Sequence, residues 1–205
     1  MGEFSYTETD GHVLTVTLNR PERMNALHSS AHFELDKVFN DFEADPDLWV
    51  CILTGAGDRA FSAGNDLKFQ AEGGTRDKPK SGFGGITERF DRTKPMIAAV
   101  NGVAMGGGFE LALACDVIIG AENARFALPE PRVGLAALAG GLHRLPRAIP
   151  QKNAIDMILT GRHVPAAEGL EIGFVTELVA EGEALSAAKR FAAEIEKCSP
   201  VSIRT

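Results

Sequence analysis

Glycine is a poor helix former. Yet in AMGGGFELALACD (residues 104–116) three consecutive glycines run into an apolar helical sequence with one carboxylate, Glu110, in its first turn. A glycine turn at a helix start lets backbone N–H groups approach a ligand closely. Those first amides lack intrahelical acceptors, and the helix dipole favours negative charge there. Such a turn suits a carbonyl oxygen that becomes an oxyanion during reaction. Taken alone, GGGFE fits a tight packing turn at least as well. Two further stretches shift the balance. AFSAGNDL places a second small-residue turn after a strand, with exposable amides around Gly64 and Asn65. FALPEPRVGL presents Glu130 directly after an apolar run and between two prolines. Two amides and two carboxylates meet the needs of chemistry beside a thioester carbonyl. The amides hold an enolate, one carboxylate handles water and the other handles an α-proton.

Other motifs carry less. TGAGDRA fits the G-x-G-x-x-A form of a dinucleotide-binding turn, but AFSAGND follows where a helix should open, and no strand-ending acid stands about 20 residues on. A polar turn is the better reading. FSAG lacks the first glycine of a nucleophile elbow, and no histidine announces itself as a partner for Ser62. His28 and His32 are spaced i, i+4 and could share a metal on a helix face. Without a third ligand they read as two solvated side chains, and no metal site is expected.

The elements that must position these groups are legible from periodicity. FSYTET and HVLTVTL flank an Asp10-Gly11 turn signal and read as an opening hairpin. Leu35, Val38, Phe39 and Phe42 form the stripe of an amphipathic helix. WVCILTG, nearly all apolar and ended by Gly55, reads as a strand covered on both faces. PMIAAVNG, DVIIGA and ARFALPE read as further strands, which predicts right-handed crossovers and a largely parallel sheet. GGLHRLPRAI and QKNAIDMILTG read as helices, FVTELV as a late strand, and a last long helix turns Leu185, Ala188, Ala192 and Ile195 to one face. Residues 71–87, polar and glycine-rich, read as a mobile surface loop or lid. Ser199-Pro200 starts a new element five residues before the sequence ends.

The 205 residues suffice for one domain with a substantial core, and no linker divides them. A net charge of −7 without any basic cluster argues against nucleic acid or anionic membrane as partners. The first residues have no apolar core of the secretory kind, and no run reaches spanning length. Cys51, Cys115 and Cys198, odd in number and far apart, read as buried reduced thiols of a cytoplasmic protein.

The stretch KPMIAAVNGVAMGGGFELALACDVIIGAENARFALPEPRVGL resembles the signature of the crotonase family, the enoyl-CoA hydratases and isomerases. NRPERMNAL, AFSAGNDLK and MILTGRHVPAAEGLEIGFVTELV resemble its other conserved segments, in the family's order and over nearly the whole chain. The resemblance implies an α/β fold, a spiral of ββα units over residues 1–198. Residues 199–205 would then begin a C-terminal helical segment that covers the site and builds trimers or dimers of trimers. Family members usually continue well beyond the Ser-Pro position.

The resemblance also implies roles. The oxyanion hole would come from the Asn65 and Gly107 amides, and the catalytic pair would be Glu110 and Glu130. Ala63 and residues Asn65, Asp66, Leu67 and Lys68 would line the thioester and pantetheine, with Met24 and Ala26 along the coenzyme path. No permanently bound cofactor is implied; the coenzyme A thioester is the substrate. Retention of both glutamates favours syn hydration of a trans-2-enoyl-CoA. Other readings are a dehydratase of the carnitinyl-CoA kind, a Δ3-Δ2-enoyl-CoA isomerase, and a non-catalytic acyl-CoA binder. The far end of the acyl pocket is expected from residues 71–87 and 135–142.

Overall fold

A computed structural model describes residues 2–204. Ten strands form two sheets. The larger contains β1 (Ser5–Asp10), β2 (Val13–Leu18), β3 (Val50–Gly55), β5 (Met96–Val100), β7 (Val117–Ala121) and β10 (Glu177–Val179), adjacent in that order. The smaller contains β4 (Ala60–Ser62), β6 (Val103–Met105), β8 (Arg125–Ala127) and β9 (Val164–Pro165). Among the described residues only the β1–β2 hairpin and the β8–β9 pair are antiparallel; the remaining pairs are parallel.

The helices are α1 (Ser29–Ala44), α2 (Leu67–Ala71), α3 (Gly107–Ala114), α4 (Gly141–Ala148), α5 (Gln151–Thr160), α6 (Ala166–Ile172), α7 (Ala184–Glu196) and α8 (Pro200–Ile203). Strands β3, β5 and β7 neighbour one another in the large sheet, and β4, β6 and β8 do so in the small one. Each consecutive pair therefore gives one strand to each sheet before the chain turns back, so the fold advances one strand per turn. This is the ββα spiral that the resemblance implied.

Both faces of the large sheet are covered, which is why β3 and β5 read as unbroken apolar runs. On one face Ile52, Ile97 and Ile119 pack with Ala184, Ala187, Ala188 and Ala192 of α7. On the other, Cys51, Leu53, Ala98 and Ile118 join Leu35, Phe39 and Phe42 of α1 and Phe109 and Leu111 of α3. The alternation of strand side chains divides one apolar run between two cores.

Three expectations need correction. His28 and His32 are buried, not solvated. They continue the Leu35–Phe39–Phe42 stripe toward the N-terminus of α1 at spacings of three and four, so they share its inward face. The 71–87 stretch is irregular and exposed only in its first part. From Gly82 on it packs inward, with Phe83 and Ile86 in the core and a 3₁₀ turn at Phe83–Gly85. Cys51 and Cys115 are buried, but Cys198 is exposed. TGAGD makes only the turn between β3 and β4. No helix among the described residues is long and apolar enough to cross a membrane.

Candidate active site

Two turns meet at the floor of a cavity of about 520 Å³. The first follows β6. Gly106 caps α3 with φ of +53°, a conformation that suits glycine. Its N–H is tied to the Ala127 carbonyl at 2.9 Å, leaving Gly107 as the first residue of α3 with no intrahelical acceptor for its N–H. A β-carbon on Gly108 would stand 2.0 Å from the Ser62 carbonyl oxygen, so the helix start presses directly on the second turn.

That second turn follows β4. Asn65 forms a single parallel bridge with Leu27. The Leu27 N–H donates to the Gly64 carbonyl at 2.8 Å, and the Asp66 N–H donates to the Leu27 carbonyl at 2.8 Å. These bonds come from the residues flanking Asn65, so the Asn65 N–H itself has no backbone acceptor and faces away from Leu27. Asn65 and Gly107 both line the cavity. Two backbone donors without acceptors thus share one wall.

The NRPERMNAL segment holds this wall in place. Arg20 donates to the Ala26 carbonyl at 2.6 Å and pairs with Asp66 at 3.0 Å, with both side chains largely buried. Asn25, at φ of +52°, donates to the Ala56 and Ala60 carbonyls at 3.0 and 2.8 Å and accepts from the Arg20 N–H at 3.0 Å. The Ser62 hydroxyl donates to the Asn25 carbonyl at 2.8 Å and accepts from the Gly64 N–H, so it is a structural hydroxyl. Burial pushes the Asp66 carboxyl up, but the Phe69 N–H and the Arg20 guanidinium outweigh it and hold it below its ordinary value.

Both glutamates face the cavity. Glu110, 3% exposed, accepts the Gly141 N–H at 2.9 Å, a contact its position in the sequence did not announce. Burial, then the charge of Glu130, pushes its carboxyl up to about 7, against the Gly141 and Ala139 amides and Arg144. Glu130 begins the 3₁₀ turn Glu130–Val133 and is half-buried; burial raises its carboxyl as well. Its Oε2 is buried and has no protein partner among the described residues. A β-carbon on Gly106 would stand 2.9 Å from its Oε1, so the second glutamate lies against the glycine turn. Burial thus favours the protonated form of Glu110 near neutrality and moves Glu130 in the same direction.

Among the residues singled out from sequence, Ala63, Asn65, Leu67, Gly107, Glu110 and Glu130 line this cavity. Met24, Ala26, Asp66 and Lys68 do not. The Met24 carbonyl accepts the Ala63 N–H, Ala26 and Asp66 are tied to Arg20, and Lys68 is exposed. Residues of both expected distal segments, including Arg76, Phe83, Leu135 and Leu138, reach the cavity wall. So do His28 and His32, which the sequence reading left in solvent. The described residues contain no cluster of three or more metal-ligating side chains.

The sequence matches the family description "Enoyl-CoA hydratase/isomerase" over residues 8–205. The chain belongs to the enoyl-CoA hydratase/isomerase family. It is an enzyme of that family, a lyase. Its relatives include the carnitinyl-CoA dehydratase of Escherichia coli strain K12, 44% identical over 205 residues that span 99% of this chain and 78% of the relative. A carnitinyl-CoA dehydratase from Mycobacterium avium 104 superposes with a TM-score of 0.95 at 39% identity, over 99% of this chain and 80% of the other. An enoyl-CoA hydratase from Mycobacterium tuberculosis H37Rv superposes at 0.93 with 40% identity, over 98% and 79%. The ββα spiral of this hydratase/isomerase-family chain is therefore shared with solved structures of similar sequence.

Proposed function

We propose that the chain adds water in syn fashion to a trans-2-enoyl-CoA, giving a 3-hydroxyacyl-CoA. The observation that carries this reading is the placement of two carboxylates, Glu110 buried and Glu130 half-buried, in one cavity with two unpaired backbone amides, burial raising both carboxyls. The thioester oxygen accepts from the Asn65 and Gly107 N–H groups. Water bonds to the β-carbon, and the double-bond electrons move to that oxygen as an enolate. Glu110 takes the proton from water, and Glu130 gives a proton to the α-carbon as the enolate collapses. Hydration needs one carboxylate ionised and one protonated, and burial, which raises both carboxyls, favours keeping a proton in the site. The division of labour between the two glutamates rests on family resemblance.

The reverse reaction, loss of water from a 3-hydroxyacyl-CoA, uses the same groups. The names of the carnitinyl-CoA dehydratase relatives favour a dehydratase as the second reading. Mass spectrometry of the product formed in deuterated water tests the first reading. The expected product carries one added water and one solvent deuteron at the α-carbon. A product of unchanged mass formula with a shifted double bond would point to isomerisation instead.

We also infer a cytoplasmic enzyme that assembles as a trimer or a pair of trimers. Val133, Leu135 and Leu138 are large apolar side chains exposed beside the cavity, which supports a subunit contact there. Light scattering of the intact protein checks the assembly state.

A further inference from the structure

The two histidines at the start of α1 have no part in the hydration steps, yet they are built into the cavity wall. His28 is 8% exposed and His32 is 5% exposed. Each ring has one nitrogen already committed. The Ala31 N–H donates to Nδ1 of His28 at 3.4 Å, capping α1, and the Gly84 N–H donates to Nδ1 of His32 at 3.1 Å. A ring nitrogen that accepts a backbone N–H carries no proton of its own. Burial lowers both imidazoles below their ordinary value, His32 to about 4, so the rings are neutral near pH 7. The single ring proton of each therefore sits on Nε2.

Neither Nε2 has a hydrogen-bond partner among the described residues, and neither is among the buried polar atoms shut away from solvent. Each histidine is left with one N–H donor to offer. The rings are also held stiffly. His28 stacks on Phe69 with centroids 4.7 Å apart, and His32 lies 4.5 Å from Phe83.

Phe83 fixes where these donors stand relative to the chemistry. A β-carbon on Gly107 would lie 2.6 Å from Cζ of Phe83, so that ring touches the backbone that supplies one oxyanion amide. His32 is the next ring beyond it. His32 therefore stands one aromatic ring away from the Gly107 backbone. The cavity lining also includes Arg76, which has no ion-pair partner among the described residues, and Lys78, which pairs with Glu88 at 2.5 Å. Donors and positive charge attract an oxygen.

We propose that His32, with His28 beside it, selects acyl groups bearing an oxygen acceptor (hydroxyl, carbonyl or carboxylate) beyond the β-carbon. The proposal rests on the acyl-CoA reading of the cavity but not on hydration. A pocket that hydrogen-bonds a substrate oxygen leaves its donors unpaired when the plain hydrocarbon binds, and so rejects it. A quaternary ammonium tail such as the carnitinyl group carries offers these donors no acceptor.

Calorimetric titration with saturated thioesters tests selection by binding, without turnover for the three hexanoyl probes, which carry no β-hydroxyl. The probes are hexanoyl-CoA, 5-hydroxyhexanoyl-CoA, 5-oxohexanoyl-CoA and carnitinyl-CoA, each added to the intact protein. One or both oxygenated hexanoyl thioesters should bind about tenfold tighter than hexanoyl-CoA, the effect of one net hydrogen bond. Carnitinyl-CoA should bind more weakly than either. His32→Asn keeps an acceptor for the Gly84 N–H but lacks the distal donor, and should bring the ratio close to one. His32→Gln carries an amide N–H near the Nε2 position and should restore part of it. Equal affinity of the wild-type protein for plain and oxygenated chains would overturn the proposal, as would a preference for carnitinyl-CoA or a ratio unchanged in His32→Asn. The wild-type comparison alone decides if a variant fails to fold. Loss of hydration activity with oxygen selection intact would count against the hydratase reading only.

Discussion

Gly64 and Gly107 touch with no side chain between them: a β-carbon on Gly64 would stand 2.8 Å from the Gly107 nitrogen and 2.6 Å from the Met105 carbonyl oxygen. The contact joins the two turns whose amides face the cavity, and both of its members must lack a side chain. Gly64 also has φ of +84°, which L side chains rarely adopt. Gly64→Ala should therefore displace the Asn65 amide from the Gly107 amide. Loss of one such donor typically costs about 10²–10³ in kcat. Steady-state hydration kinetics check this, and a kcat within a few-fold of wild type would show that the contact is dispensable.

The two glutamates are expected to act on different protons. Glu110→Gln and Glu130→Gln should each lower turnover by about 10²–10⁴, the usual contribution of a positioned acid–base group. Binding of an unreactive acyl-CoA should change far less, because the amides remain. Comparing kcat with the calorimetric Kd for each variant separates the two effects.

Stability should carry the signature of Glu110. Its folded carboxyl is raised from 4.5 to about 7, with burial the main cause. Between these values the folded protein holds a proton that the unfolded chain has released, so stability falls as pH rises through this window. The contribution is complete below about pH 4.5 and gone above about pH 7, a swing of roughly 3 kcal/mol. Urea denaturation of wild type and Glu110→Gln across this range tests the sign. The wild type should lose stability relative to the variant as pH rises.

The Arg20–Asp66 pair is a buttress. Its oxygen and nitrogen stand 3.0 Å apart and both side chains are mostly buried. Arg20→Met would leave the Asp66 carboxylate buried without its cation, which typically costs about 3–5 kcal/mol. The Asn65 turn follows Asp66 into place, so KM for the acyl-CoA should rise along with the loss in melting temperature. Asp66→Asn should be milder, since the capping bond from the Phe69 N–H can persist.

The sequence made some of this plain and hid the rest for identifiable reasons. GGGFE, AGND and LPE pointed to Asn65, Gly107, Glu110 and Glu130, which line one cavity, because glycine at a helix start or a carboxylate beside apolar residues breaks a local preference. The strands of the large sheet were legible as apolar runs. Which strand joins which sheet was not, since short apolar runs such as AFS and VAM read alike in either setting. His28 and His32 were misplaced because polarity was weighed above position. Extending the stripe of Leu35, Phe39 and Phe42 back by three and four residues puts both on the buried face. Residues 82–87 were misread because their glycines suggested mobility. Gly85 instead permits contact with α1, where a β-carbon would lie 2.6 Å from the Asp36 nitrogen. The bond from the Gly141 N–H to Glu110 spans 31 positions, beyond the reach of any local pattern.

The most direct test of the central claim follows the absorbance of the conjugated enoyl thioester. The purified protein is mixed with short, medium and oxygen-bearing trans-2-enoyl-CoAs, beside the Glu110→Gln variant. The wild-type protein should bleach at least one of them to the hydration equilibrium, and the variant should be slower by about 10²–10⁴. Unchanged absorbance with every enoyl-CoA, or equal rates for wild type and variant, would contradict hydration by this pair of glutamates.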